Sequence, residues 1–246
     1  GVDLSGSVRA MQPGRDRGHA RGLGNETHRL GDFFKVEGER SDEIVIEGCA
    51  GRVKWIGSEM TRGRVVVRGD VGMHAGSYMR GGEILVEGNA DDFLGVEMQG
   101  GLIRVKGNAR HRAGSAYRGS KYGMQGGIIV VEGNVGHEVG AYMRRGLIVI
   151  KGNTEDFLGA MMTNGTICLF GQAGIRTGAA CRRGRSSVCG PLTCCRPLPM
   201  IATTRRSFSE CCSRGSSILG WSRLFPRTVS FDGITEIWPM SARAKS

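Results

Sequence analysis

Two histidines stand out as residues whose type and spacing could support chemistry. His111 and His137 each lie four residues after a glycine that closes a short apolar run, and His74 lies five residues after such a glycine. Imidazoles repeated in register could bind a metal ion. The equivalent places elsewhere hold Arg, Met, Asp and Ile rather than a uniform row of ligands. We therefore interpret the histidines as solvated corner residues and predict no metal site in this chain.

Two acidic pairs, Asp91-Asp92 and Glu155-Asp156, could in principle perform acid–base catalysis, which often uses paired carboxylates. Both pairs directly precede a Phe-Leu dipeptide and have the character of exposed corners. A structural role is the favoured interpretation. We predict no catalytic and no cofactor-binding residue in this chain.

Three tyrosines recur beside methionines, one or more repeats apart. They are Tyr78, Tyr117 and Tyr142, and Arg118 directly follows the second of them. A partly exposed aromatic stripe suits an interface between subunits, and packing in the core is an equally good interpretation. These four residues form the candidate interface.

Arginines line up near one edge of the repeat, at Arg62, Arg80, Arg144-Arg145 and Arg182-Arg183. A basic edge could face an acidic partner, although a solvated edge is the favoured interpretation. The sequence alone does not choose a partner for this edge.

A repeat of 19 residues sets the positions of all these side chains. Three glycines mark each repeat, and one interval of 26 residues reflects seven extra residues located at Ser115 to Tyr122. An insertion in one repeat usually forms a loop on one face, which is often a binding face. The glycines predicted to form the corners are Gly69, Gly76, Gly82, Gly88, Gly95, Gly101, Gly107, Gly114, Gly133, Gly140, Gly152 and Gly159.

Each repeat contains a short run with apolar residues at its second and fourth places, as in Ile84 and Val86. Alternating β-branched residues bounded by glycine predict a short strand with one buried face. The Gly-Asn or Gly-Asp that follows is expected to turn the chain through positive φ. Six methionines in register are expected to stack as an internal ladder: Met60, Met79, Met98, Met124, Met143 and Met162.

A single five-residue strand cannot bury its own face, whereas successive stacked coils bury a continuous core. The sequence therefore predicts an all-β protein, a parallel β-helix of about seven 19-residue coils. A left-handed hexapeptide β-helix is disfavoured because it needs a period of about 18 residues. The calcium-binding nonapeptide roll is excluded because its G-G-x-G-x-D motif is missing.

The chain has 246 residues, 42 of them Gly, with a net charge of +11 and eight Cys. Residues 1–178 carry a net charge of only +3, so most of the charge and six of the cysteines fall in the last 68 residues. We therefore predict no nucleic-acid partner. No apolar run is long enough to cross a bilayer, and we expect no membrane association and a cytoplasmic location.

The repeat resembles the GXGXG domain, and in particular the C subunit of formylmethanofuran dehydrogenase and its bacterial counterpart in the formyltransferase/hydrolase complex. The segments that carry the resemblance are Asp70 to Gly82, Gly174 to Ala179, and GSAYRGSKYGMQGG from Gly114 to Gly127. Arg118 stands where that family usually has Pro. The resemblance covers about residues 30–183.

The resemblance implies a right-handed β-helix that acts as a non-catalytic scaffold in one-carbon metabolism linked to tetrahydromethanopterin and a methanofuran-type carrier. The implied partners are a zinc amidohydrolase-like subunit, a formyltransferase subunit and the remaining B-type subunit of the complex. Zinc or a molybdenum or tungsten pterin would belong to those other subunits. The alternative is the related structural domain of glutamate synthase, an amidotransferase, and the insertion at Ser115 argues against it.

Both ends of the chain depart from the repeat. Residues 1–29 are rich in Arg and Gly without periodicity, and we expect them to be partly disordered. We assign residues 30–184 to the repeat domain. Residues 185–246 have lost the period, and a one-base shift of the reading frame permits segments there that resemble the end of that family, such as Y-D-C-D-Y-R-P-V. We predict that residues 185–246 are a frame-shifted, disordered tail.

Overall fold

The computed structural model describes residues 2–3, 20–23, 26–29, 34–35, 37, 41–48, 50–181 and 187–189. All of them belong to one compact unit, residues 1–201, and the second unit, residues 202–246, lies outside the described part. A single 3-10 turn at Ala50–Arg52 accompanies twelve strands in the described part. The strands are β1 Val2–Asp3, β2 Ala20–Leu23, β3 Glu26–Arg29, β4 Glu43–Glu47, β5 Val53–Lys54, β6 Arg64–Arg68, β7 Glu83–Val86, β8 Leu102–Val105, β9 Ile128–Val131, β10 Leu147–Ile150, β11 Thr166–Leu169 and β12 Ser187–Cys189.

Eight strands form one parallel sheet in the order β12-β11-β10-β9-β8-β7-β6-β4. Equivalent residues of successive repeats pair directly, so that Ile84 lies opposite Ile103 and Ile103 lies opposite Ile129. The second of these steps spans the insertion without changing the register. The predicted parallel β-helix of about seven coils is confirmed.

The core is a continuous column of side chains inside the coils. Alternation places the second and fourth residues of each strand inward, as for Ile103 and Val105, which are fully buried. All six methionines of the predicted ladder lie in this column and are at most 3 % exposed. The coils from Met60 to Met162 therefore each contribute a methionine to the same core as the aliphatic pairs of the strands.

Isolated parallel bridges form a second wall, joining Val71 to Ala90, Ala90 to Ala109, and onward to Val135 and Thr154. Between this wall and the sheet the chain runs through a turn in which every second residue adopts the left-handed backbone conformation. His74, Gly76 and Tyr78, for example, have φ of 66°, 65° and 57°. Bulky residues rarely adopt this conformation, and the sequence did not predict it.

The corner glycines serve two different purposes. Gly95 has φ of +59°, and an added Cβ would lie 2.7 Å from Ile129 Cδ1 in the core. Gly107, in a Gly-Asn corner, is not left-handed, and an added Cβ would lie 2.6 Å from the Gly88 carbonyl oxygen of the preceding coil. The prediction that the Gly-Asn corners turn through positive φ is therefore wrong for Gly88, Gly107, Gly133 and Gly152. Close backbone approach between coils is the reason for glycine at these four positions.

Strands β1 to β3 lie within the N-terminal segment and extend a small sheet in the order β3-β2-β1-β5. The rest of residues 1–29 lies outside the described residues, as does most of 185–246, so the predictions of disorder there stay predictions. Strand β12 follows the assigned boundary at residue 184 and pairs in parallel with β11. Across the described ranges, no helix has the length and apolar character needed to span a membrane.

Candidate interaction surfaces

The insertion carries Tyr117 back across the earlier coils. Its ring lies 5.6 Å from the rings of His74, Tyr78 and Phe93, and 6.3 Å from the ring of Trp55. Trp55, His74 and Phe93 occupy one place in three successive coils and follow one another at ring distances of 4.3 and 5.1 Å. We call these five residues the aromatic cluster.

Hydrogen bonds fix Tyr117 in the aromatic cluster. Its hydroxyl lies 2.9 Å from His74 Nδ1 and donates to Ser77 Oγ at 3.1 Å, and its backbone N–H donates to Glu97 Oε1. Burial raises the pKa of the Tyr117 phenol to about 12. Burial also raises the pKa of Tyr78, and the nearby carboxylate of Glu97 adds to that effect.

The candidate interface residues do not form one stripe. Tyr78 and Tyr117 meet in the aromatic cluster, whereas Tyr142 makes no ring contact with any other described residue. Tyr142 instead accepts a hydrogen bond at its carbonyl from the N–H of Gly123, where the insertion rejoins the coil. Arg118 is exposed on the insertion.

His111 and His137 belong to a ladder of hydrogen bonds between coils. Asp92 Oδ1 accepts from the N–H of His111, His111 Nδ1 accepts from the N–H of His137, and His137 Nδ1 accepts from the N–H of Asp156. Asp156 then accepts from Ile175. At this corner, imidazole nitrogen and carboxylate oxygen therefore both accept the backbone N–H of the next coil.

The ladder determines the tautomer of both histidines. An Nδ1 atom that accepts a backbone N–H carries no proton, so the proton of the neutral ring lies on Nε2. The Nε2 of His137 lies 2.9 Å from Glu155 Oε2, as expected for an N–H donor. His111, His137 and Glu155 are close enough to surround a metal ion. However, the Nδ1 atoms of both histidines already accept backbone N–H groups, so a metal ion bound at Nδ1 would displace these hydrogen bonds.

The carboxylates of the acidic pairs also have partners in neighbouring coils. Asp91 forms an ion pair with Arg110 at 3.1 Å, and Glu155 accepts a hydrogen bond from His137 Nε2 at 2.9 Å. A second ladder runs through the residues after the corner glycines, where each side-chain oxygen accepts from the next coil, as Asn89 does from Asn108. The acceptors are Asp70, Asn89, Asn108, Asn134 and Asn153, and the backbone N–H of Gln172 is the last donor.

The outward side of the parallel sheet carries a patch that the sequence reasoning missed. Its members are the aliphatic residues at the first and third places of neighbouring strands, Leu85, Leu102, Ile128, Val130, Leu147 and Val149. Val130 is only 5 % exposed and the others are partly exposed. Near-continuous apolar strands such as Leu147–Ile150 are typical of parallel sheets covered on both faces, and this was the available signal. We call the patch the aliphatic outer face.

Known proteins are similar to this chain in sequence and in fold. The C subunit of the tungsten-containing formylmethanofuran dehydrogenase 2 from Methanothermobacter wolfeii is 48 % identical over 58 residues, which is 22 % of each chain. The counterpart from Methanothermobacter marburgensis is 47 % identical over 58 residues. In the crystal structure of the formyltransferase/hydrolase complex from Methylorubrum extorquens with methylofuran, one chain superposes with a TM-score of 0.72. It is 28 % identical, and the match covers 89 % of this chain and 84 % of that one.

Part of the chain is similar in sequence to the C subunit of formylmethanofuran dehydrogenase, and most of it shares the fold of a chain of the formyltransferase/hydrolase complex. The aligned segment spans about a fifth of the length of the curated relatives it matches. No model of a protein family matches the chain. The alternative, a glutamate synthase domain, gains no support from these relatives.

Proposed function

We propose that this chain is the structural C subunit of a formyltransferase/hydrolase complex or of a formylmethanofuran dehydrogenase-like complex in one-carbon metabolism. The observation that carries the proposal is the agreement with a chain of the Methylorubrum extorquens complex along 89 % of this sequence. The local identity of 48 % to the C subunit of the dehydrogenase agrees with it.

The role that we propose is a scaffold rather than a catalyst. The two histidines and the acidic pairs all act as hydrogen-bond or ion-pair partners between coils. Removing such groups weakens the solenoid and does not remove a reactive centre. The aliphatic outer face provides the scaffold with a surface that a parallel sheet normally keeps covered.

We further propose that the partners are a zinc amidohydrolase-like subunit, a formyltransferase subunit and the remaining B-type subunit, all in the cytoplasm. In this proposal the other subunits bind zinc or a molybdenum or tungsten pterin, and they act on a methanofuran-type carrier and tetrahydromethanopterin. The names of the relatives support this assignment: two of them are tungsten-containing enzymes, and the crystallised complex holds methylofuran.

Co-purification tests the proposal. The chain, tagged and expressed in its own host, is expected to retain a formyltransferase and a metal-dependent amidohydrolase-like protein in near-equal amounts. Mass spectrometry of the eluate identifies both proteins. A tagged chain with Leu147→Lys and Val149→Lys on the aliphatic outer face is the matched variant, and it is expected to recover less of both. Recovery of the wild-type chain alone would contradict the proposal.

A further inference from the structure

Six cations of the repeat are neutralised within the molecule. On the strands and on the histidine side of the coils, basic side chains form ion pairs with acidic residues of neighbouring coils, for example Lys106 with Glu87 at 2.8 Å. The cations paired in this way are Arg64, Arg68, Lys106, Arg110, Arg112 and Lys151.

The corner that follows the methionine ladder is different. Two adjacent residues of each coil form it. The N–H of the first donates to the carbonyl of the methionine in the preceding coil, as Arg80 does to Met60. In six coils these two rows contain four arginines and no carboxylate. The rows are Thr61, Arg80, Gln99, Gln125, Arg144 and Thr163, and Arg62, Gly81, Gly100, Gly126, Arg145 and Asn164.

The insertion adds two more cations next to this corner. Arg118 and Lys121 are exposed, and the segment that carries them contains no acidic residue. The insertion ends against the coil of Arg144, because Tyr122 places its ring 4.1 Å from the guanidinium carbon of Arg144. This cation–π contact holds the arginine beside the insertion.

We call Arg62, Arg80, Arg118, Lys121, Arg144 and Arg145 the basic corner. All six are exposed, and none forms an ion pair with a carboxylate of the described residues. Four other cations of residues 50–181, Arg52, Lys54, Arg104 and Arg176, also form no ion pair with a described carboxylate, but they do not share one corner. The six cations along the basic corner and the adjoining insertion present a surface complementary to negative charge.

We infer that the basic corner is a docking surface for an acidic segment of a partner polypeptide. The inference rests on the proposed function only in taking that partner to be another member of the complex. Guanidinium groups bind carboxylates in a bidentate manner, and five of the six members of the corner are arginines.

The dimensions of the basic corner fit an extended peptide. Arg80 and Arg144 stand three coils apart, about 14 Å at a strand spacing of about 4.8 Å. A peptide in extended conformation covers that distance with about four to five residues. Two carboxylates four residues apart in such a segment would lie on the same side and face Arg80 and Arg144.

A protein segment fits the surface better than a nucleic acid does. Single-stranded nucleic acids bind on aromatic side chains that stack with their bases. The ring of Tyr122 at this corner already stacks on Arg144, and the five residues of the aromatic cluster pack on one another.

The inference is tested with the full chain and a fluorescent ten-residue peptide of alternating Glu and Ser. The variant replaces Arg118, Lys121, Arg144 and Arg145 by Gln. The control replaces four cations that are ion-paired, Arg68, Arg110, Lys106 and Lys151, by Gln and loses the same net charge. Fluorescence anisotropy at low and moderate salt gives the dissociation constant of each protein, and thermal melting checks that each is folded.

We expect the wild-type chain to bind the peptide and added salt to weaken the binding. The basic-corner variant is expected to bind about tenfold more weakly or worse, and the control to stay within about twofold. No binding by the wild-type chain, or an equal loss in both variants, would overturn the inference. Tighter binding of a ten-nucleotide single-stranded DNA, lost in the same variant, would assign the surface to nucleic acid instead.

The peptide assay separates this inference from the proposed function. If the peptide binds at the basic corner and no partner protein co-purifies, the docking surface stands and the proposed function falls. If the complex co-purifies and the peptide does not bind, the proposed function stands and the docking surface is wrong.

Discussion

Individual side chains at the corners join each coil to the next. Asp92, His111, His137 and Asp156 occupy one place in successive coils, and each accepts the N–H of the residue above. A histidine in this row resembles a potential metal ligand in the sequence, whereas in the fold its Nδ1 replaces a carboxylate oxygen. The sequence could not reveal this, because the roles of the two ring nitrogens depend on which backbone groups lie beside them.

Replacing His111 distinguishes the ladder from a metal site. His111→Asn retains a side-chain acceptor and is expected to change the free energy of unfolding by less than about 0.5 kcal/mol, whereas His111→Leu leaves the N–H of His137 without its partner and costs about 1 kcal/mol. Chemical denaturation measures both. Equal losses in the two variants, or stabilisation of the wild-type chain by equimolar zinc, would contradict the role in the ladder.

The buried Tyr117 phenol makes stability depend on pH in the alkaline range. Its pKa is about 12 in the folded chain against 10.0 for the unperturbed group, so the unfolded state loses this proton first. The contribution is fully present below pH 10 and is lost as the pH rises to about 12. Tyr117→Phe is expected to reduce the alkaline loss of stability, and the raised pKa of Tyr78 sustains a remainder. Denaturation at pH values from 9 to 12 measures it, and an unchanged pH profile would speak against the burial of Tyr117.

At the level of the elements, the strands were predictable and the turns opposite them were not. Alternating β-branched residues such as Ile148 and Ile150 predict both the strand and its buried face, because the side-chain period of a strand is two. The left-handed conformations of Trp55, His74 and Phe93 follow from the closure of each coil rather than from these residue types. The aromatic cluster depends on Tyr117 reaching coils about 24 to 62 residues earlier in the chain, which no local pattern indicates.

Glycine substitutions test the closure of the coils. Gly95→Ala places a Cβ 2.7 Å from Ile129 Cδ1 at a φ of +59°, and we expect it to cost about 2–4 kcal/mol through strain and displaced core packing. Gly119→Ala, in the insertion, has a φ of +89° but no atom within 4 Å of the added Cβ, and is expected to cost about 1 kcal/mol. Thermal or chemical denaturation compares them. A smaller loss for Gly95→Ala than for Gly119→Ala would be inconsistent with the packing described.

Across the whole molecule, the positions that recur in every coil maintain the fold, and the positions that vary between coils form the candidate interaction surfaces. The inward-facing residues and the corner glycines of the repeat are nearly the same in every coil, whereas the aliphatic outer face, the insertion and the side chains of the basic corner vary along the axis. The 19-residue period predicted the first set, because a period constrains every coil alike. The second set depends on the few coils that differ, such as those with Leu102 and Ile128 at an outward position, and becomes visible only when the coils are stacked.

The mass of the complex assembled with and without this chain tests the central claim most directly. The partner proteins from the same host are co-expressed with the chain or without it, and size-exclusion chromatography with light scattering gives the mass of each assembly. We predict one complete complex when the chain is present, and smaller separate species when it is omitted. An assembly without the chain that falls short only by the chain's own 26.4 kDa would contradict the role as a scaffold.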